Sequence, residues 1–455
     1  MKTNRLFASG LRMLFLLIFV AMQSVVAQDK TVQSSSFSLK QAQEMARKSN
    51  IEVMNADLDI QIANAKKKEV TGIGFPQLSG NFDIKNFIEI PTSLIPAQFF
   101  GGKEGDFIPV QFGTQYQATA GVSVSQLLFS SDYLVGLQAS KTFMELSKKA
   151  FQRTQIESSA AVTKAYYAVL VNQKQLEYVD AGVALLKKFM DDSKALNEAG
   201  FVEKLDVDRA ELAYNNLVVD RENIARLIGL SETLLKFQMG YDVAKPITLT
   251  DSLPSFDASF AEIAAIAKPN YSNRIEYSLL ETQLKINELD LKRNRLGYIP
   301  TLVAYGSLSA NALRDEFDIF SGVRWFPTGV IGATLNVSIF DGLQRHYKIQ
   351  QAHASVLKSK NSLKGFEQVI SMEINAAQVN YQNALASYKN QEKNMNLARS
   401  IYDVTKIKFE QGVGTNIEVI NAETSMKETR NNYFKALQNL LNAKVDYDKA
   451  TGAIK

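Results

Sequence analysis

The 455-residue chain holds two histidines, His346 and His353, and no cysteine. The two imidazoles stand seven residues apart on a stretch that reads as helix, and they miss the spacing of four that lets one helix present a metal-binding pair. They read as surface residues. Without cysteine there are no disulfides, thiolate metal ligands, cysteine nucleophiles or lipidated N-terminal cysteine, which suits an oxidising periplasm. Gly101-Gly102-Lys103 lacks the rest of a phosphate-binding loop. Gly121-Val122-Ser123 is no nucleophile elbow, because Ser125 stands where the second glycine should be. No enzyme, cofactor or metal is expected. The chemistry that remains is acidic and sits at two turns. Thr415 can cap a returning helix, with Glu418 three residues on to complete a capping box. Gly412 before it, and Gly200 in a second turn followed by Asp206, supply the freedom a helix-to-helix turn needs.

These turns belong to a duplication. The segment Ala199–Glu211 reappears as Gln411–Glu423 at an offset of 212, which still holds at Gly240 and Gly452. Upstream, Gly74-Phe75-Pro76-Gln77-Leu78 resembles Tyr298-Ile299-Pro300-Thr301-Leu302 at an offset of 224, so the first copy carries a longer loop. The two halves are joined by a linker punctuated by Pro246 and Pro254. No proline falls between Pro109 and Pro246 or after Pro327, leaving room for very long helices. Val162, Ala165, Val169, Asn172, Leu176, Val179, Val183, Leu186 and Met190 form a heptad seam. The seam recurs in phase at Ile374, Ala377, Tyr381, Ala384, Tyr388, Gln391, Met395, Ala398 and Tyr402. A helix from about 130 to 198 would be roughly 100 Å long. By itself the seam also fits an ordinary coiled-coil rod.

Residues 1–27 read as a removable secretory leader, with Lys2, Arg5 and Arg12 ahead of the apolar run Met13–Ala21 and small residues at Val25-Val26-Ala27. Its removal takes the net charge from +4 to +1, which leaves no electrostatic footprint for nucleic acid. No later segment has the run of apolar residues that a membrane helix needs, so a membrane role would require a β-barrel.

Four short segments change period from 3.6 to 2. In the clearest, Tyr116, Ala118, Ala120, Val122 and Val124 point one way and Gln117, Thr119, Gly121, Ser123 and Ser125 the other. Its repeat mate sets Ile331, Ala333, Leu335, Val337 and Ile339 against Gly332, Thr334, Asn336 and Ser338. Leu78, Phe82 and Ile84 alternate with Ser79, Asn81, Asp83 and Lys85, and Leu302, Ala304, Leu308 and Ala310 with Tyr305, Ser307, Ser309 and Asn311. A soluble sheet with one wet face shows the same alternation. The polar faces, mostly Gln, Ser, Thr, Asn and Gly, favour strands between lipid and an aqueous lumen. So do the aromatic loops holding Phe99, Phe100, Phe107 and Phe112, and Phe317, Phe320, Trp325 and Phe326. Four strands leave two open edges and the smallest membrane barrels have eight, so the chain must oligomerise. A trimer closes twelve strands and a dimer eight.

This set of features resembles the TolC-like outer-membrane efflux protein family. The most specific pieces are Phe409–Ala422 at the second turn, Ala199-Gly200 through Asp206-Val207 and Ala210 at the first, Ser338-Ile339-Phe340-Asp341-Gly342, and the terminal Ala450-Thr451-Gly452. The resemblance implies a mixed fold: duplicated long α-helical hairpins forming a coiled-coil periplasmic tunnel, and four β-strands per chain forming a trimeric twelve-stranded barrel. After the leader, residues 28–240 would be the first repeat, with strands at about 77–88 and 115–129 and a long helix at about 130–198. Residues 241–256 would be the linker. Residues 257–455 would be the second repeat, with strands at about 301–312 and 330–340 and a long helix at about 341–409. Function would be a passive outer-membrane exit duct, a homotrimer in outer-membrane lipid, working with a periplasmic adaptor and an energised inner-membrane pump. A structural coiled-coil stalk without a pore is the alternative. Glu418, Asp206 and Asn421 would constrict the periplasmic entrance, and Gly200, Gly412, Gly414 and Thr415 would lie at the hairpin tips that meet the adaptor. At Asn421 the family has an acid, and its locking tyrosine and arginine fall on Phe409 and Gly414 here.

Overall fold

In a computed structural model the chain is described over residues 35–253, 270–319, 322 and 324–454. The expected leader, Pro254, residues 257–269 and Phe320 lie outside the described residues. The elements run β1 (Ser35–Phe37), α1 (Leu39–Ser49), α2 (Ile51–Gly72), β2 (Gln77–Asn86), β3 (Thr92–Pro96), β4 (Phe107–Gln111), β5 (Tyr116–Phe129), α3 (Ser131–Glu198) and α4 (Lys204–Met239). They continue with β6 (Ile247–Leu249), α5 (Ile275–Leu296), β7 (Thr301–Arg314), β8 (Phe326–Asn336), α6 (Gln344–Glu410) and α7 (Asn416–Thr451).

The helical part is two hairpins, α3 with α4 and α6 with α7, joined along their length by contact between α3 and α7. At 68 residues α3 is about 100 Å long. It starts cleanly because Ser130 accepts a hydrogen bond from the Tyr133 amide at 3.3 Å and Asp132 sits in the first turn, where a carboxylate favours the helix dipole. Every residue of the two predicted seams is buried or half-buried. One stretch of core gathers Val162, Ala165, Tyr166 and Val169 against α1 and Leu235 and Met239 of α4. Another gathers Tyr381, Leu385 and Tyr388 against Phe434, Leu437, Leu440 and Leu441 of α7.

Each hairpin is extended by a shorter helix stacked end to end on its return helix, and the joints explain two glycines. At the α4–α2 joint Gly240 adopts φ +66°, and a Cβ there would fall 2.0 Å from the Ser49 carbonyl oxygen. Asn50 ties the joint by donating to the Gln238 carbonyl at 2.9 Å, while its Oδ1 caps the Glu52 amide at 2.9 Å. At the α7–α5 joint Gly452 adopts φ +74° against the Asn273 carbonyl. There Arg274 donates to the Ala450 carbonyl at 3.2 Å and is held by Glu276 at 3.0 Å and Glu373 at 2.8 Å. The two joints fall at the repeat offsets.

The sheet is antiparallel, in the order β2-β5-β7-β8. Its register aligns the alternation of all four strands. Leu78 pairs with Val124, Val122 with Leu308, Gly306 with Ile331 and Leu302 with Leu335, so one face is apolar from edge to edge. That face is open in one chain: Leu78 is 77% and Ile331 94% exposed. On the opposite face Ser79 and Ser123 share a hydrogen bond at 2.8 Å, and Thr119 donates to Asn311 at 2.7 Å. Between β2 and β5 the longer loop of the first copy folds as the small hairpin β3–β4.

Two strand limits differ from expectation. The last strand, expected at about 330–340, lies at Phe326–Asn336. Asn336 already pairs with Thr301, the first residue of β7, so Val337 and Ile339 keep their alternation but have no partner strand among the described residues. The long helix expected from about 341 begins at Gln344, after Leu343 takes a left-handed φ of +64°.

Candidate channel entrance at the hairpin tips

Both hairpins turn at a glycine followed by a short extended step. Gly200 has φ +80° and the Phe201 amide reaches back to the Leu196 carbonyl at 2.8 Å. Gly412 has φ +74° and the amides of Val413 and Gly414 both bond the Lys408 carbonyl, at 3.0 and 3.1 Å. Asn197 fastens the first turn by donating to the Val202 carbonyl at 2.7 Å. Thr415 precedes α7, and its amide donates to Glu418 at 3.4 Å. Glu203 precedes α4 and Asp206 lies in the first turn. Both acids therefore sit where helix amides and the dipole favour negative charge.

The structure brings the two tips together through a residue that sequence reasoning passed over. Asn416, the buried first residue of α7, donates from Nδ2 to the Asp206 carbonyl at 3.2 Å. Glu418 and Asn421 are exposed, one turn apart on α7. Asp206 is half-buried and its carboxylate faces Arg209 at 3.4 Å, which tempers its charge. Gly414 sits against the last turn of α6: a Cβ there would lie 3.0 Å from the Phe409 amide nitrogen. Phe409 packs edge-on against Phe189 with ring centroids 5.2 Å apart. The positions of the expected tyrosine and arginine thus serve packing, and neither carries the polar group that the resemblance associates with a lock.

Polar contacts also tie the hairpins above the tips. Lys427 pairs with Asp220 between α7 and α4, Gln175 donates to Asn431 at 3.3 Å, and Lys164 bonds Asp446 at 2.5 Å. Glu423 and Arg430, seven apart on α7, are buried. In the sequence they are visible as charged interruptions of an otherwise apolar stripe running from Val419 to Leu440. The two histidines are exposed, and His346 meets Gln350 at 2.9 Å. Among the described residues no cluster of His, Cys, Asp or Glu could hold a metal, and no helix is long and apolar enough to cross a membrane.

Residues 290–453 match the family model described as outer membrane efflux protein. Outer membrane protein TolC of Vibrio cholerae is 24% identical over 336 residues, 72% of this chain and 74% of that protein. The toluene efflux pump outer membrane protein TtgC of Pseudomonas putida is 24% identical over 355 residues, 74% of this chain and 69% of that protein. In sequence the chain is thus similar to TolC-like outer-membrane efflux proteins. Its fold is shared with solved outer-membrane proteins. The CusC structure superposes with a TM-score of 0.71 at 14% identity over 91% of both chains. VceC of Vibrio cholerae superposes with a TM-score of 0.69 at 14% identity, covering 91% of this chain and 96% of that one. The sequence relatives are named as outer-membrane proteins, as is the solved VceC. The sequence relatives are efflux outer-membrane proteins and not enzymes.

Proposed function

We propose that three copies of this chain close into a twelve-stranded barrel on a helical tunnel, and that the trimer is a passive exit duct for efflux. The observation that carries this reading is the four-stranded sheet with β2 and β8 unpaired at its edges. In lipid each unsatisfied backbone group costs several kcal/mol, so an open edge cannot persist. Pairing β8 of one copy with β2 of the next removes every edge, with the apolar face outward to lipid.

The helices give the same interface a second seam. On α4, Leu205, Leu212 and Val219 recur every seven residues and are exposed, and on α6 so are Leu397, Ile401 and Val404. The α6 helix follows the edge strand β8, and α4 stacks on α2, which precedes the edge strand β2. Closing the sheet edges would bring these unpartnered apolar stripes together.

The chain offers no nucleotide-binding motif, so the work of transport must come from an energised inner-membrane pump, reached through a periplasmic adaptor. In this reading Glu418, Asp206 and Asn421 ring the periplasmic mouth, and Gly200, Gly412, Gly414 and Thr415 shape the tips that the adaptor meets. Residues 1–27 are the leader, and residues 28–240 and 257–455 are the two repeats around the linker 241–256. Mass measurement of detergent-extracted protein tests the closure: three copies are expected, and a stable monomer or dimer would rule it out.

A further inference from the structure

Midway along the tip half of the hairpins a cleft of about 500 Å³ opens between α3, α6 and α7. Arg430 lies on its floor, only 4% exposed. The guanidinium makes no hydrogen bond or ion pair with any described residue, and its Nε is buried without a partner. Gly182 on α3 makes the room for it: a Cβ there would fall 3.4 Å from Nη1 of Arg430. Tyr402, fully buried, lines the same cleft, and its hydroxyl also has no partner. Glu423 on the same helix and Asp220 on α4 act on Arg430 through space, but among the described residues neither is within ion-pair distance. At the rim Lys174 bonds Glu177 at 2.6 Å, and Arg399 and Asp403 also line the cleft. The rest of the wall is largely apolar, with Tyr178, Leu185, Met395 and Met426.

A desolvated guanidinium with no acid in direct contact is costly, and a planar fork of donors matches a carboxylate. A neighbouring unpartnered phenol adds one more donor to the same oxygen pair. Apolar walls add affinity for the body attached to that carboxylate. We propose that this cleft binds a small organic carboxylate with an apolar body, its carboxylate on Arg430 and Tyr402.

The test is a fluorine NMR titration of 4-fluorobenzoate into the detergent-solubilised full chain. Saturable binding is expected, at least tenfold weaker in Arg430→Gln. Tyr402→Phe keeps the shape, removes only the hydroxyl, and should weaken binding severalfold even if the arginine variant does not fold. Neutral 4-fluorobenzamide should not bind, and inorganic phosphate should displace the benzoate only at much higher concentration. Absence of saturable binding, equal binding of the amide, equal displacement by phosphate, or unchanged affinity in Tyr402→Phe would each overturn the proposal.

Discussion

Single residues divide into those that shape backbone and those that carry charge. Gly240 belongs to the first group. Alanine there must hold a positive φ and push a methyl into the Ser49 carbonyl, so Gly240→Ala should cost about 2–5 kcal/mol in denaturant melts. Gly229, inside α4 with open space around it, makes the contrast: Gly229→Ala should stabilise by roughly 0.5–1 kcal/mol. Glu423 belongs to the second group. Burial raises its carboxyl above the ordinary range, against the partial pull of Arg430 and Lys427. A raised pKa means the folded state holds the proton more tightly. The stability this gives is complete below the ordinary carboxylate range and is lost as pH rises through the folded value. Glu423→Gln should therefore raise stability by the order of 1 kcal/mol at pH 8. That gain should fade in melts as pH falls to about 4. At the tips, six acids gathered by a trimer would concentrate negative field at one mouth. The double change Glu418→Gln with Asp206→Asn should reduce cation selectivity and block by multivalent cations while leaving trimer formation intact. Glutamine preserves part of the capping contact of Glu418.

Whole elements were legible wherever a physical period ran long enough. The two seams could be read because buried positions on α3 and α6 recur at threes and fours, and the strands because one face meets lipid and the other water. The small hairpin β3–β4 could not be read: Phe107-Ile-Pro-Val-Gln111 carries no alternation, and Pro109 sits inside it. The three-residue strands β1 and β6 are too short to show any period. The end of β8 was misjudged because alternation persists in Val337 and Ile339, beyond the last residue of β7 that could pair with them. At the tips the glycines and the capping acid follow from local turn chemistry. The Asn416–Asp206 link spans 210 positions and could not be seen. The register makes the face assignment testable. Val122→Arg or Leu335→Arg should cost about 2–4 kcal/mol near the midplane. Ser123→Arg, on the polar face, should cost far less in refolding into lipid vesicles. Equal cost at both positions would mean that the apolar face does not meet lipid.

At the scale of the whole molecule, one chain is a third of the proposed barrel. Its sheet has two free edges, its outer face is apolar, and α4 and α6 each keep an exposed apolar stripe. In the proposed trimer all of these would be resolved by one operation, a rotation that closes on the third copy. That trimer would have a lumen lined by Ser79, Ser123, Thr119 and Asn311 on the polar face, and it would end at the acid-bearing tips. Such an object conducts, and a solid coiled-coil stalk does not. Single-channel recording of the purified protein in a planar bilayer tests this most directly. Discrete conductance steps that prefer cations are expected, with the preference reduced in the Glu418→Gln, Asp206→Asn double variant. Trimers that insert yet never pass current, with the tips intact or trimmed away, would contradict the account.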